Sequence, residues 1–146
     1  QGRVAADNFA RVVRRVFPKL DPDSVDYLWE LTSRASTQPT GTILVFSAGA
    51  AQEAQRLSRQ SFRVAPRIIT PSVLRLVTNI DGAVFIEPTG VCYSIGAILD
   101  GLATEKGDSS RGTRYNSAVR YVNSSRYPCL VVVVSEDGWI DLLPNQ

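Results

Sequence analysis

The 146-residue sequence has no histidine, no methionine and only two cysteines. Without histidine there is no Ser-His-Asp triad, no imidazole metal ligand and no imidazole acid–base step. Without methionine there is no initiator, so the sequence reads as a processed chain or an excised piece, with Gln1 and Gly2 as an expression remnant and other domains out of view. Cys92 and Cys129 form neither a disulfide framework nor a zinc pattern. Both lie in β-rich runs and read as buried thiols, which fits a reducing cytoplasm. Long hydrophobic runs are missing as well. A membrane-spanning helix needs about 20 apolar residues, and the longest run here, 129–134, suits a buried strand instead. No secretory signal is visible. Sixteen basic against 14 acidic residues leave a net charge of +2, too balanced for a nucleic-acid or anionic-membrane surface.

What is present is an ordinary globular composition, 44% hydrophobic, in a length that suits one domain with a real core. Residues 5–17 place Phe9, Val12, Val13 and Val16 at helical spacing between arginines, and Pro18 stops that helix. Asp21-Pro22 opens a second helix, with Asp21 as N-cap and Pro22 at the first helical position. A loop spans 36–41. "GTILVFS", 41–47, is a buried strand, and 48–58 is helical. Residues 61–70 are ambiguous and read as a loop and a short strand. Pro71 starts a helix through Leu74 and Val77. Two β-rich runs within 81–101 flank Pro88-Thr89-Gly90, which predicts a hairpin. A polar loop at 103–111 leads to a helix over 112–125. "CLVVVVS" is a central strand, and Asp137-Gly138 turns into a last strand over 139–143. The expected fold is a single α/β domain: a mixed sheet flanked by helices, with an N-terminal helical segment 1–40 packed on a core 41–146. With no βαβ series and no GxGxxG, nothing supports a Rossmann reading.

The stretch "RGTRYNSA", 111–118, puts an arginine in the first turn of a helix, where the unpaired N–H groups already carry partial positive charge. A bound phosphate reconciles the two. Gly112 allows close backbone approach, Thr113 offers a cap and a hydroxyl, Arg114 can fork onto phosphate oxygens, and Ser117 lies one turn on. The alternative is a capped surface helix with solvated arginines. Asp81, in Asp81-Gly82-Ala83, is either a turn residue or a sheet-edge carboxylate able to hold a divalent metal or activate a hydroxyl. Ser135-Glu136-Asp137 ends the valine-rich strand, where α/β proteins bind ligands, but it also suits a plain turn. Leu99 can cover a flat base. Lys106, Arg120 and Arg126 read as solvated.

In this order, "GTILVF", "DGA", "GTR", "AVRY" and "VVVVSEDGWIDLLP" resemble the diadenylate cyclase (DisA nucleotide-binding) domain family, from about Gly41 to Pro144. The resemblance implies an enzyme that joins two ATP molecules into cyclic di-AMP, with Mg²⁺ or Mn²⁺ and a homo-oligomer whose active sites face each other. It implies that Asp81 serves the metal and the attacking ribose hydroxyl, and that Gly82 and Ala83 line the nucleotide. Thr113 and Arg114 match phosphate-holding positions, Ser135 and Glu136 a strand-end pair beside the phosphates and metal, and Leu99 the adenine cover. Where the family has Arg-His-Arg, this chain has Arg114-Tyr115-Asn116. Tyr115 and Asn116 still donate hydrogen bonds, but neither carries charge. Losing one charge-assisted contact costs about 1.5–3 kcal/mol, or one to two orders of magnitude in rate on the scale of about 1.4 kcal/mol per tenfold. The other reading of the altered triplet is a domain that senses ATP or a cyclic dinucleotide without cyclising it.

Overall fold

A computed structural model describes residues 6–101 and 112–144; the expected polar loop 103–111, with Lys106, lies outside them. Two uninterrupted apolar runs form the middle of the sheet. β1 (Thr42–Ser47) and β5 (Cys129–Val134) are buried at every position, so both of their faces are covered. They pair antiparallel, with Leu44 opposite Val132. β1 also pairs in parallel with β3 (Ala83–Ile86), which makes the sheet mixed. β3 turns back through Glu87 to Gly90 into β4 (Val91–Ala97), as the turn residues predict. β2 (Phe62–Ile68) and β6 (Ile140–Leu143) form the two edges, giving the order β2-β4-β3-β1-β5-β6.

Strand alternation sends successive side chains to opposite faces. Leu44, Phe46, Val132 and Val134 meet α1 (Ala6–Val16), α2 (Pro22–Ser36) and Leu74 of α4 (Pro71–Val77). Ile43, Val45, Val131 and Val133 pack in a second cluster with Tyr115, Ala118, Val119 and Tyr121 of α5 (Thr113–Ser124), and with Leu57 at the end of α3 (Ala50–Arg56). The sheet is thus sandwiched between two helical layers, and each fully buried aliphatic side chain contributes about 1.5–3 kcal/mol. α2 begins as read: Ser24 N donates to the Asp21 carboxylate at 3.1 Å, with Pro22 in the first turn. The two thiols are free and buried in β4 and β5, and burial pushes Cys92 up to about 11.

The ambiguous segment is a seven-residue strand. β2 is exposed along nearly its whole length, and its register with β4 breaks between Arg63 and Arg67, around Pro66. Proline is tolerated on an edge strand because it has no N–H to give to the ladder. Asp81, expected at a sheet edge, instead stands before β3, an interior strand.

Candidate functional site

The strand directions gather one group of residues at one end of the sheet. β1 and β3 are parallel, so both begin there; β4 and β5 run against them, so both finish there. Thr42 pairs with Val134, and Ala83 pairs with both Ile43 and Ala97. Gly41, Asp81-Gly82, Ile98-Leu99 and Ser135-Glu136 therefore share that end, and the start of α5 joins them.

Between these segments lies a cleft of about 690 Å³, within the usual size range of small-molecule sites. Asp81, Gly82, Leu99, Thr113, Arg114 and Ser117 all line it. Gly82 has φ +116°, and a Cβ there would stand 2.5 Å from the carbonyl carbon of Gly96, so two glycine backbones pass in contact at the cleft wall. Asp81 is exposed and makes no hydrogen bond or ion pair with a described residue.

The helix start differs from the expectation in one respect. Gly112, at φ +90°, is the N-cap, and no side chain caps α5; Thr113 is the first helical residue. Its hydroxyl is left for the cleft rather than spent on the backbone. Thr113, Arg114 and Ser117 share one face, as spacings of three and four residues require. The Arg114 guanidinium and the Val134 carbonyl both lie against Gly41: a methyl group at position 41 would be 2.8 Å from Nη1 and 2.7 Å from that oxygen. Arg114 also lines a second cavity, of about 470 Å³, together with Ser135, Glu136 and Asp137. It makes no ion pair with a described residue. Positive charge from the helix dipole and the guanidinium thus converges at the start of α5, where Arg114 lines both cavities.

Other expected site residues are placed elsewhere. Ala83 is fully buried in the core, and Tyr115, 8% exposed, packs with the apolar face of α5. Gly112 and Asn116 lie on the first turn of α5 but are not among the described lining residues of either cavity. Glu136 lines the smaller cavity and not the one that holds Asp81. The Ser135 hydroxyl closes the turn: it accepts from Trp139 N at 3.0 Å and donates to the Asp137 carboxylate, which holds that carboxyl below its usual range. Gly41, Phe62 and Ile98 are contributors that sequence reading missed. Gly41 was read only as the start of a strand, and Phe62 lies in the ambiguous segment.

Among the described residues no group of three acidic or cysteine side chains could hold a metal ion by itself. The donor set fits a divalent cation of another kind. Mg²⁺ commonly binds one or two carboxylates and completes its shell with water and substrate phosphates, and Asp81 is such a carboxylate facing an electropositive cleft. No described helix is long and apolar enough to cross a membrane.

A model of the family described as DisA bacterial checkpoint controller nucleotide-binding matches residues 31–146. Among solved structures, this chain is similar to a crystal structure of a double cysteine mutant of DacA from Staphylococcus aureus, with 21% identity and a TM-score of 0.64 over 82% of this chain and 80% of that one. That likeness bears on the fold. The comparison with curated proteins gives no match.

Proposed function

The chain belongs to the DisA bacterial checkpoint controller nucleotide-binding (DAC) family, and on that premise we propose that it is a diadenylate cyclase domain that condenses two ATP molecules into cyclic di-AMP. One observation carries the reading: Asp81, Leu99 and Arg114, distant in sequence, line a single cleft of about 690 Å³. In each half-reaction a ribose 3′-oxygen bonds to the α-phosphorus of the other nucleotide as the bond to pyrophosphate breaks. Leu99 covers the adenine and Gly82 admits the nucleoside to the backbone. Thr113 and the start of α5 receive the phosphates, and Arg114 balances the charge that grows on the departing pyrophosphate. Asp81 takes up the proton of the attacking hydroxyl. Asp81, with the phosphates, would hold Mg²⁺ or Mn²⁺, which would supply acidification of that hydroxyl and screening of phosphate charge. Glu136 and Ser135 flank Arg114 from the smaller cavity.

One cleft holds one ATP, so two copies must bring their clefts face to face. Phe62 and Ile98, each 64% exposed, stand at the cleft. Apolar surface of this kind supports a covering partner. Incubating the purified domain with ATP and Mn²⁺ or Mg²⁺, then chromatographing the products, tests the reading. Cyclic di-AMP is expected, and it should vanish in Asp81→Asn. Failure to bind ATP at millimolar concentration would overturn it.

A second reading, a sensor that binds ATP or a cyclic dinucleotide without turnover, is favoured by the burial of Tyr115. Its ring packs in the core with Ala118 and Val119, and a phenol brings the phosphates no positive charge in place of the family's histidine. Saturable binding without product would select this reading.

A further inference from the structure

We infer that Arg56 is a positioning residue for the base end of the nucleotide, acting through a network that is buried at Glu53 and Tyr121 and reaches the surface at Arg56 and Asp100, and that fixes one wall of the cleft; this rests on the nucleotide reading above. The network starts at Glu53 on α3, which is 2% exposed. Tyr121 of α5, 1% exposed, donates its O–H to Glu53 Oε1, and its ring meets Phe85 of β3 edge-on at 5.7 Å. Arg56 donates from Nε to Glu53 Oε2 at 2.8 Å and from Nη2 to Oε1 at 2.9 Å. The same guanidinium forks onto Asp100, Nη1 to Oδ2 at 2.5 Å and Nη2 to Oδ1 at 2.9 Å. One arginine therefore ties two carboxylates, and the second belongs to the residue after Leu99.

The neighbours of Leu99 are held as well. Ile98 N donates to Gln60 O at 3.0 Å, and Gln60 Nε2 returns a bond to Ile98 O at 2.5 Å. Gly101 presses against α5, where a Cβ would stand 2.6 Å from the Arg120 carbonyl oxygen. Ile98, Asp100 and Gly101 are each anchored, and Leu99 between them lines the cleft. Glu53, Arg56, Gln60 and Tyr121 do not line it. They act on the nucleotide only through where they hold Leu99. Only Glu53 of the three charged groups is buried, Arg56 and Asp100 being 42% and 43% exposed; an ionic cluster of this kind adds little net stability, and its attested use is to specify one arrangement. Here the arrangement is the gap between the 98–101 segment and α5, which carries the phosphate-facing residues.

The readout separates the two ends of the ligand. Titration calorimetry in Mg²⁺ buffer compares ATP with inorganic tripolyphosphate on the wild type, Arg56→Ala and Arg56→Lys. Losing a preorganised wall weakens ATP by about tenfold in Arg56→Ala and leaves tripolyphosphate within about twofold. Lysine keeps the charge but cannot fork onto both carboxylates, so Arg56→Lys falls between. If circular dichroism shows Arg56→Ala unfolded, Arg56→Lys carries the test. Unchanged ATP affinity, or equal loss for both ligands, overturns the inference while leaving the nucleotide site standing. A wild type that binds ATP no better than tripolyphosphate overturns it too. A wild type that binds neither overturns the nucleotide reading itself.

Discussion

Gly41 acts through the side chain it lacks. Its backbone does not occupy a glycine-only region, so alanine fits the chain conformation there and only the space is wrong. A methyl group would be 2.7 Å from the Val134 carbonyl oxygen and 2.8 Å from Arg114 Nη1. The arginine is the softer neighbour and can move, but the carbonyl oxygen belongs to the β5 backbone and gives way only at a cost to the β1–β5 pairing. Gly41→Ala is therefore expected to lower the melting temperature through the β5 backbone and also to lose one charge-assisted phosphate contact, about 1.5–3 kcal/mol, seen below the melting range as roughly a tenfold or greater rise in the ATP Kd by calorimetry. No sequence pattern announces such a residue, because its role is a distance between β1, β5 and α5. Tyr115 is the opposite case. It forms an apolar row with Ala118, Val119 and Val122 at helical spacing, and that row faces the sheet. The same periodicity separates it from Arg114 by about 100° around the axis. The burial was legible in the spacing, but position next to an arginine read as a phosphate ligand pointed the other way.

Elements with both faces covered were the easiest to read. β1 and β5 are continuous apolar runs because helices pack on each side of them. β2 was illegible for the converse reason: an exposed edge strand with a proline in it has no buried face to impose alternation. α3 was recognised as a helix, yet nothing in its small and polar residues marked Glu53 as buried. That glutamate has an experimental signature. Burial raises its pKa, but the bonds from Arg56 and Tyr121 outweigh burial and leave it below the ordinary 4.5; the Arg56 fork likewise holds Asp100 below 3.8. The unfolded chain then takes up protons before the folded one does. The network's stabilisation is complete above about pH 4.5 and is lost as pH falls through the lower, folded values. Thermal melts between pH 7 and pH 3 should show this acid decline. Glu53→Gln should melt lower at pH 7 and show a shallower decline.

At the scale of the whole molecule the site is a product of topology. The motifs occur in the order Asp81, Leu99, Arg114, Glu136, but strand order places β1 between β3 and β5, so the first and last of them approach from opposite sides of a strand that was read as plain core. Composition and patterning made the α/β class and the mixed sheet legible. Which strands neighbour one another depends on long-range pairing, which local patterns do not encode. If two clefts must meet for catalysis, cyclic di-AMP formation per milligram should rise with protein concentration until the dimer saturates. A specific activity independent of dilution, measured across two decades of concentration, would show that a single copy suffices.

The inward setting of Tyr115 makes the family's Arg-His-Arg triplet unequally recoverable. Arginine grafted at 116 would extend from a half-covered position on the first turn of α5 with little disturbance to the interior. Histidine grafted at 115 would replace a large phenol by a smaller ring among valines and alanines, leaving a void around a group that prefers water. Rebuilding the triplet in this scaffold therefore begins at 116, and position 115 yields only if the apolar layer beneath it is redesigned at the same time.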